Sequence, residues 1–466
     1  MATPTRNAVI VTDVNPASGG GGRYTISGEK WGGSLGQGVT LTYSFPGTSA
    51  YYATPYGQYY DAGEWKGKQA LTSGEKAAVV TGLAAWSAVA NIKFAPVSDT
   101  STVVGELRFA KTSYDTDWEY GHAYLPSTET AAGDVWFSTA NWNAANAASV
   151  AKGSDDWHTA LHEIGHAIGL KHTFDTPYAL PTTLDSYFYS VMSYSARDYD
   201  DSGSASFYPT TPMYYDLLGI QALYGRNTKH NADNTVYTFN EGQTYFQTID
   251  DAAGIDRIVY VGTNGVLVNL VQGKFSTLSA PISFDSGSTS ATVAIGPRSV
   301  IEHATGGTGA DRLYGNSSAN SLSGRAGSDI IVGAAGNDSL SGGDNNDRLY
   351  GDAGNDRMSG GAGTDAFYFR VAPTKGGGTD TIYDYNVADD SIYLDDAAFA
   401  RLPAGALASG HFYTGAAAHD RNDYVIYNDA TGALIYDSNG SYAGGAAVIA
   451  ILSKNLALTA ADIVVY

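Results

Sequence analysis

Residues 162–172 read His-Glu-Ile-Gly-His-Ala-Ile-Gly-Leu-Lys-His, and this stretch decides how the first part of the chain folds. On a helix, His162 and His166 lie one turn apart on the same face, so both imidazoles can bind one ion. Gly169 favours the end of the helix and a bend of the chain, which lets His172 return toward that ion. The spacing therefore predicts a three-histidine zinc site with one position left open for water.

The acidic residue after the first histidine adds chemistry to this site. Zinc lowers the pKa of bound water toward roughly 7 and polarises a carbonyl group. Glu163 can then take the proton of that water and pass it to a leaving amine. Isolated His-x-x-x-His pairs occur by chance on helices, but Glu163, Gly169 and the third spaced histidine make a chance pattern a poor explanation. The motif therefore predicts a hydrolytic zinc centre.

The overall composition limits the kind of protein. The chain has 466 residues, which predicts at least two domains. Its 26 basic and 47 acidic residues give a net charge of -21, which argues against a nucleic-acid partner because phosphate binding needs clustered cations. No apolar run is long enough to span a membrane. Cysteine is absent, so packing or bound metal ions must hold the folded chain together.

Residues 1–235 have the pattern of a mixed α/β domain. Apolar runs predict strands at 41–45, 92–97 and 106–110. Thr72 and Glu75 form a capping-box pattern that predicts a helix through Ala90. Further helices are expected from Ser154 or Asp155 through Leu170, and over 215–224, where Gly225 ends the helix.

Residues 236–466 have a different sequence pattern, which predicts an all-β domain. A strict repeat of nine residues covers 306–369. Each unit begins with glycine, has aspartate or asparagine five positions later, and has an apolar residue two positions after that. The glycines are Gly306, Gly315, Gly324, Gly333, Gly342, Gly351 and Gly360, and the apolar residues are Leu313, Leu322, Ile331, Leu340, Leu349, Met358 and Phe367. A flexible linker would not keep an apolar residue in phase through seven units, so the repeat predicts regular structure.

The repeat matches the RTX nonapeptide, which forms a parallel β-roll and binds calcium. Two units complete one turn of the coil, so residues 18 apart stack. Stacked carboxylates repel one another, and Ca²⁺ with its oxygen ligands removes the conflict. The predicted ligands are Asp311, Asp329, Asp338, Asp347, Asp356 and Asp365, with the turn glycines Gly307, Gly309, Gly327, Gly336, Gly343, Gly354, Gly361 and Gly363. Asn320 replaces aspartate in the second unit and weakens one site.

The extended histidine motif resembles that of the metzincin superfamily, and residues 190–194, Ser-Val-Met-Ser-Tyr, are similar to its methionine-containing turn. Within the superfamily the match is to the serralysins, secreted bacterial endopeptidases, which are also similar at 41–45, 86–94 and 216–225. The resemblance implies an α/β metzincin catalytic domain, then a parallel β-roll and a C-terminal β-sandwich. It makes Met192 the floor of the zinc site. It also makes Tyr194 a residue that swings onto and off the metal and stabilises the oxyanion.

The same resemblance implies further calcium ligands and an export route. The additional ligands are Asp251, Gly254 and Asp256 in one loop, Glu302 before the roll, and Asp380 and Asp384 after it; turn-capping carboxylates are the alternative. Residues 1–16 lack a basic region followed by an apolar stretch. Serralysins are exported by a type I secretion machinery that reads an uncleaved C-terminal signal, which residues 462–466 resemble. We therefore expect a secreted, extracellular monomer that cleaves protein or peptide substrates.

Two other functions remain open. One is a calcium-folded surface or adhesion module with a silent zinc centre, and the other is a protease dedicated to processing one surface protein. Serralysins usually have proline where this chain has Thr173, which leaves the substrate preference open. His158 lies on the face of His162, but we expect it to support the site or lie at the surface and not to bind zinc. Surface positions are expected for the remaining histidines, His122, His230, His303, His411 and His419.

Overall fold

The computed structural model describes residues 10–11, 25–52, 56, 63–114, 120–142, 150–196 and 204–466, so most of residues 1–16 lies outside the described part. The chain forms two compact units. The first comprises Met1–Ala232 together with Thr244–Ala252 and Pro281–Ser299, and the second comprises Asp233–Gln243, Ala253–Ala280 and Val300–Tyr466. The domain boundary predicted at residue 235 stays a prediction.

In the described part of the first unit three α-helices form, namely α1 (Ser73–Val89), α2 (Asp155–Ala167) and α3 (Tyr214–Tyr224). The capping box predicted for α1 is confirmed, because the Thr72 hydroxyl accepts from the Glu75 N–H at 3.3 Å and the Glu75 carboxylate accepts from the Thr72 N–H at 2.6 Å. The Ser154 hydroxyl caps α2. Short 3₁₀ helices lie at Glu64–Lys66 and Thr182–Leu184.

The second helix ends at Ala167, so the prediction that it runs through Leu170 is wrong by three residues. Gly169 has a φ of +105°, which only glycine adopts without strain. The N–H of Leu170 bonds to the carbonyl of Gly165 at 2.9 Å, which closes the helix as in a Schellman motif. Because α2 ends at Ala167, the chain after Gly169 turns back toward the helix.

The main sheet of the first unit has six strands and is largely parallel. Its order is Ile92–Pro96, Val39–Ser44, Leu107–Thr112, Asp134–Ser138 and Gly121–Ala123, with Lys68–Gln69 beside Leu107–Thr112. The edge strand Gly121–Ala123 is antiparallel to its neighbour. The first unit also contains the strands Ile10–Val11, Lys30–Trp31, Gln247–Ile249, Ile282–Phe284, Gly287–Thr289 and Val293–Ile295.

Packing against α1 fixes α2. Every residue of α2 from Asp156 to Ala167 is buried. The indole N–H of Trp86 in α1 donates to the carbonyl of Leu161 at 3.1 Å, and a Cβ atom at Gly82 would lie 2.8 Å from Ile164. This close approach holds the histidine-bearing helix rigidly against its neighbour.

The second unit is built from two long, mostly parallel sheets, which have eleven and eight strands. In order, the first contains Phe412–Thr414, Val425–Asn428, Ala433–Asp437, Ala446–Ile451, Asp380–Ile382, Arg357–Ala362, Ser339–Asp344, Ser321–Ala326, His303–Thr305, Arg257–Val261 and Val236–Asn240. In order, the second contains Leu267–Asn269, Arg312–Tyr314, Ile330–Val332, Arg348–Tyr350, Ala366–Phe369, Ser391–Leu394, Ile463–Val465 and Gly405–Ala406. Phe275–Ser276 is a further short strand, and 3₁₀ turns lie at Pro373–Lys375, Ser409–His411 and Ala460–Asp462.

The repeat places its strands alternately in these two sheets, which is the architecture of a parallel β-roll. Residues 18 apart pair in register, as Leu313 does with Ile331 and Leu322 does with Leu340. All seven repeated apolar residues are at most 2% exposed, so they form the interior of the roll. The strands Val425–Asn428 and Ala433–Asp437 pair antiparallel and form a hairpin. The C-terminal β-sandwich stays a prediction.

No helix in the described ranges combines the length and the apolar character needed to cross a membrane.

Candidate metal centre

Three imidazoles converge at the C-terminal end of α2. The Nε2 atom of His166 lies 3.1 Å from that of His162 and 3.0 Å from that of His172. The first two rings project from one face of α2, and the turn at Gly169 brings the third ring back to them. The predicted histidines therefore meet in space, and their ligand atoms are close enough to hold one metal ion.

Hydrogen bonds on the opposite ring atoms orient these imidazoles. The Nδ1 atom of His162 lies 2.7 Å from the carbonyl oxygen of Val191, and that of His166 lies 2.8 Å from the carbonyl oxygen of Leu170. A carbonyl only accepts, so each Nδ1 carries the proton and each Nε2 directs a lone pair at the convergence point. Burial lowers the pKa of His166 to about 4 and the pKa of His172 to about 3, and it lowers that of His162 as well. Three neutral imidazoles are a donor set that fits zinc.

Glu163 lies beside the convergence point and borders the same cavity, which has a volume of about 680 Å³. Its side chain is 5% exposed. The edge strand passes close to it, since a Cβ atom at Gly121 would lie 3.3 Å from Cγ of Glu163. A carboxylate next to the metal ligands and facing a cavity is placed to act on a water molecule there.

The ring of Tyr194 covers the histidines from the solvent side. Its centroid lies 5.5 Å from that of His162 and 4.6 Å from that of His172. The residue is 55% exposed, so one side of the ring is open to solvent. Tyr194 is therefore close to the predicted metal and remains accessible to a substrate.

The turn containing Met192 lies under the metal centre and is held by a buried carboxylate that the sequence analysis missed. Met192 is fully buried, and its sulfur lies 2.6 Å from where a Cβ atom of Gly165 would be. Asp216 in α3 accepts hydrogen bonds from the hydroxyl of Ser190 at 2.5 Å and the N–H of Val191 at 2.8 Å. The separation of 25 residues between Val191 and Asp216 follows no periodic pattern, so the sequence did not reveal this contact.

The loop after the third histidine is anchored where serralysins usually have proline. Thr173 is fully buried, and its hydroxyl donates to the carboxylate of Asp185. The N–H of His172 donates to Asp175 at 3.1 Å. Threonine therefore contributes a side-chain anchor that proline cannot provide.

In the roll, each repeat aspartate from Asp329 onward accepts a hydrogen bond through Oδ1 from the N–H of the residue 18 positions earlier. In one row the N–H of Asp311 bonds to Asp329, that of Asp329 to Asp347, and that of Asp347 to Asp365, at 2.7–2.9 Å. In the other row Asn320 bonds to Asp338 at 2.7 Å, and Asp338 to Asp356 at 2.8 Å. The predicted stacking in two rows is therefore present.

Both rows continue beyond the repeat. The N–H of Asp356 bonds to Asp380 at 2.9 Å, and the N–H of Asp365 bonds to Asp390 at 3.0 Å. Asp390 was missed because it follows Asp365 by 25 residues and not by 18. A local signal was available, since Asp390 and Asp380 are each followed two residues later by isoleucine, as in the repeat.

The other oxygen atoms of the rows fit a divalent cation. Within the two rows, the Oδ2 atoms of five buried repeat aspartates have no hydrogen-bond partner, and these are Asp329, Asp338, Asp347, Asp356 and Asp365. Burial raises the pKa of Asp329, Asp338 and Asp347 to about 7. Buried carboxylate oxygens without a partner are costly, and Ca²⁺ is the ion whose oxygen chemistry suits them. Of the predicted turn glycines, φ is positive at Gly254, Gly327, Gly336, Gly343, Gly354, Gly361 and Gly363 but not at Gly307 or Gly309.

Four of the acidic calcium ligands expected outside the repeat, Asp256, Glu302, Asp380 and Asp384, accept hydrogen bonds from backbone N–H groups. Asp256 accepts from the N–H of Thr235 at 2.7 Å, and Glu302 accepts from the N–H of Asp256 at 2.8 Å, so these two acidic residues lie together. Asp251 belongs to the first unit, where its N–H bonds to Ser299. Asp384 accepts from the N–H groups of Gly360 and Gly361, both at 3.0 Å. Their roles as ligands stay predictions.

Two histidines outside the ligand set are buried. His122 is 6% exposed, so its predicted surface position is wrong; it lies 3.3 Å from the carboxylate of Glu64. His158 is also 6% exposed and lines the cavity, but it is not part of the three-histidine group. Of the others, His419 is exposed, and His230, His303 and His411 are half-buried.

Comparison with known sequences defines the two parts of the chain. Residues 65–203 match the family model of matrixin, and residues 305–340 and 332–367 match the RTX calcium-binding nonapeptide repeat. The matrixin match implies a catalytic zinc ion, and the RTX matches imply calcium. The predicted combination of a metzincin domain with RTX repeats is thereby confirmed.

Among individual proteins, the chain is similar to serralysins. It is 30% identical over 272 residues to a serralysin of Photorhabdus laumondii subsp. laumondii, covering 53% of this chain and 54% of the relative. It is 31% identical over 314 residues to serralysin A of Dickeya chrysanthemi, covering 63% and 62%, and 30% identical over 329 residues to a serralysin of Proteus mirabilis, covering 62% of each. Each match spans less than two thirds of the relative's own length.

Proposed function

We propose that the protein is a secreted, zinc-dependent endopeptidase. The observation that carries the proposal is the convergence of three Nε2 atoms, 3.0 and 3.1 Å apart, beside Glu163 in an open cavity. A structural zinc site would be closed by a fourth protein ligand, whereas a catalytic one keeps a position open. The similarity to serralysins supports the same activity.

In this proposal His162, His166 and His172 hold the zinc ion. When bound, zinc supplies Lewis acidity that makes water nucleophilic near neutral pH and polarises a peptide carbonyl. Glu163 takes the proton of the attacking water and delivers it to the leaving nitrogen. Tyr194, whose ring adjoins two of the ligands, donates a hydrogen bond from its hydroxyl to the oxygen on which negative charge develops.

The edge strand Gly121–Ala123 supports the binding of an extended peptide. It is the last strand of its sheet, and it borders the cavity next to Glu163. An edge strand can pair with an added strand through its free backbone groups. Such pairing would lay a peptide across the cavity and place one of its carbonyls beside Glu163.

For the second unit we propose calcium binding along the two aspartate rows, with Asp256, Glu302, Asp380 and Asp384 as further ligands, and we propose Asp251 as a calcium ligand in the first unit. Calcium outside the cell then stabilises the folded state of a chain that stays unfolded inside the cell. Export by a type I secretion machinery, an extracellular location and a monomeric state complete the proposal. Its support is the RTX match, since such repeats accompany secretion in the serralysins that the chain resembles.

The decisive test is Glu163→Gln, which keeps the shape of the side chain but removes its basicity. The variant should bind zinc as the wild-type protein does and lose most of its activity on casein, because the water is no longer deprotonated. Wild-type turnover in Glu163→Gln with full zinc content would reject the mechanism. An inactive wild-type protein with full zinc content would instead support a silent centre in a surface or adhesion module.

The breadth of cleavage separates a general endopeptidase from a dedicated processing protease. A general enzyme cuts unfolded casein at many sites, whereas a processing enzyme leaves it nearly intact. Mass spectrometry of the products gives the number of sites directly.

A further inference from the structure

The cavity bordered by the three histidines is also lined by Asp155, His158, Tyr187 and Tyr208, which contact one another, and we call this part of the cavity the side pocket. Asp155, His158 and His162 are spaced three and four residues apart, so they lie on one face of the helix. With a rise of 1.5 Å per residue, Asp155 lies about 10 Å from His162 along the helix axis. A side chain that enters beside the metal centre would therefore meet His158 first and Asp155 last.

His158 is a neutral, buried group with unused hydrogen-bonding capacity. Its ring stacks on Tyr208 with centroids 5.1 Å apart and meets the edge of Tyr187 at 4.6 Å. Burial lowers its pKa to about 3, so the ring carries no charge at neutral pH. Its Nε2 atom is buried and has no hydrogen-bond partner among the described residues. Such an atom is costly unless a ligand or water bonds to it.

Asp155 supplies negative charge at the far end of the side pocket. It is half-buried, and the hydroxyl of Tyr208 donates a hydrogen bond to its carboxylate. Burial raises the pKa of Asp155, and this hydrogen bond opposes the rise. A carboxylate has about four acceptor positions, so one hydroxyl leaves most of them available.

No lysine or arginine lines the side pocket in the described part of the chain. Lys171 borders the cavity at the end nearer His172, where its ammonium group donates to the carbonyl oxygens of His172 and Asp175. The charge of Asp155 therefore has no cationic partner in its own pocket among these residues. A cation from a ligand would compensate for the burial of this carboxylate.

We propose that the side pocket selects substrates with arginine or lysine next to the scissile bond, with Asp155 as the partner of the cation and Nε2 of His158 as an acceptor for one of its N–H groups. The proposal rests on the proposed endopeptidase function. Arginine fits especially well, because its planar donors match a carboxylate and its flat face matches a tyrosine ring. Tyr187 and Tyr208 then shield the apolar part of the side chain from water.

The test uses the full chain with zinc and calcium and a series of peptides that differ in one residue. Arginine and its uncharged isostere citrulline are compared at the position on each side of the scissile bond. In the wild-type protein kcat/KM should be at least about tenfold higher for arginine at one of these positions. Asp155→Asn should bring the ratio below about three, because the amide removes the charge and keeps the shape.

Asp156→Asn is the matched control. Asp156 is the next residue of α2 and is also acidic, but it does not line the cavity. If direct contact with Asp155 sets the preference, Asp156→Asn should change the ratio by less than twofold. An equal loss in both variants would overturn the proposal, because the combined negative charge of Asp155 and Asp156 would then set the preference and not direct contact with Asp155.

Two measurements distinguish a failure of the side-pocket proposal from misfolding of a variant and from a failure of the proposed endopeptidase function. The wild-type protein alone should show enrichment of arginine and lysine at one position of a proteome-derived peptide library, which needs no variant. Equal cleavage of arginine and citrulline peptides would overturn the side-pocket proposal and leave the endopeptidase function intact. Absence of cleavage in every peptide by zinc-loaded protein would reject the endopeptidase function itself and this proposal with it.

Discussion

The buried carboxylate of Asp216 accepts a 2.8 Å hydrogen bond from the backbone N–H of Val191. The carbonyl oxygen of Val191 in turn lies 2.7 Å from Nδ1 of His162. Asp216 also accepts from the hydroxyl of Ser190 and from the N–H of Met213 at 2.8 Å. One carboxylate in α3 therefore holds the turn that orients a metal ligand in α2.

This relationship predicts that Asp216→Ala weakens zinc binding. Loss of the carboxylate releases the turn and the ring orientation of His162, and groups that orient metal ligands typically contribute about 10–100-fold to affinity. Competition with a chromophoric chelator measures the effect. Asp99→Ala is the control, since Asp99 is a buried carboxylate paired with Arg108 far from this turn. Equal zinc affinity in Asp216→Ala and wild type would contradict the prediction.

Replacement of Tyr194 by phenylalanine tests the role of its hydroxyl. If that hydroxyl stabilises the oxyanion, kcat should fall by roughly 10²–10³ with little change in KM. Zinc content should stay the same, because the three imidazoles are unchanged. Tyr178→Phe, at an exposed tyrosine outside the cavity lining, should keep normal kinetics. A parallel loss of zinc and activity in Tyr194→Phe would make the residue a structural ligand instead.

Removal of calcium should unfold residues 306–369 before the zinc-binding helix. Adjacent strands lie about 4.8 Å apart, and at an effective dielectric near 20 two unit charges at that distance repel by roughly 3.5 kcal/mol. Several such pairs exceed what the single apolar residue of each repeat supplies. Hydrogen exchange at constant zinc should show loss of protection in the roll and unchanged protection in α2. Full protection of residues 306–369 without calcium would refute the role of calcium as a structural ion.

The calcium-free roll should become less stable as the pH rises. Burial raises the pKa of Asp329, Asp338 and Asp347 to about 7 and that of Asp380 to about 8. Unfolded aspartate has a pKa of about 3.9, so between roughly pH 4 and 8 the folded roll binds more protons than the unfolded chain. The stability contributed by these protons is lost as the pH rises through that window. Protonation therefore partly replaces calcium in acid.

Thermal unfolding in the presence of a chelator checks this dependence. The Tm of the calcium-free roll should be higher at pH 5.5 than at pH 8. The double variant Asp338→Asn, Asp347→Asn should flatten the slope, which separates these carboxylates from the general effect of net charge. A Tm of the calcium-free roll that rises with pH would show that the proposed proton linkage is absent.

Features that depend on short, regular spacing could be predicted from the amino-acid sequence. His162 and His166 fall on one helical face because a helix has 3.6 residues per turn, and Gly169 marks the turn that returns His172. The nine-residue repeat likewise determined which apolar residues fill the roll and which aspartates stack, because both follow from the period. In these cases local geometry alone relates sequence position to position in space.

Contacts between residues whose separation has no period became visible in the folded structure and could not be predicted from the sequence. Asp216 reaches Val191 across 25 residues, and Thr173 reaches Asp185 across a loop. Asp390 joins its row because the chain takes 25 residues, and not 18, to return to the sheet. Packing also buried His122 and His158 and brought Tyr208 to Asp155. The path of a chain between elements is set by long-range packing, which leaves no regular spacing in the sequence.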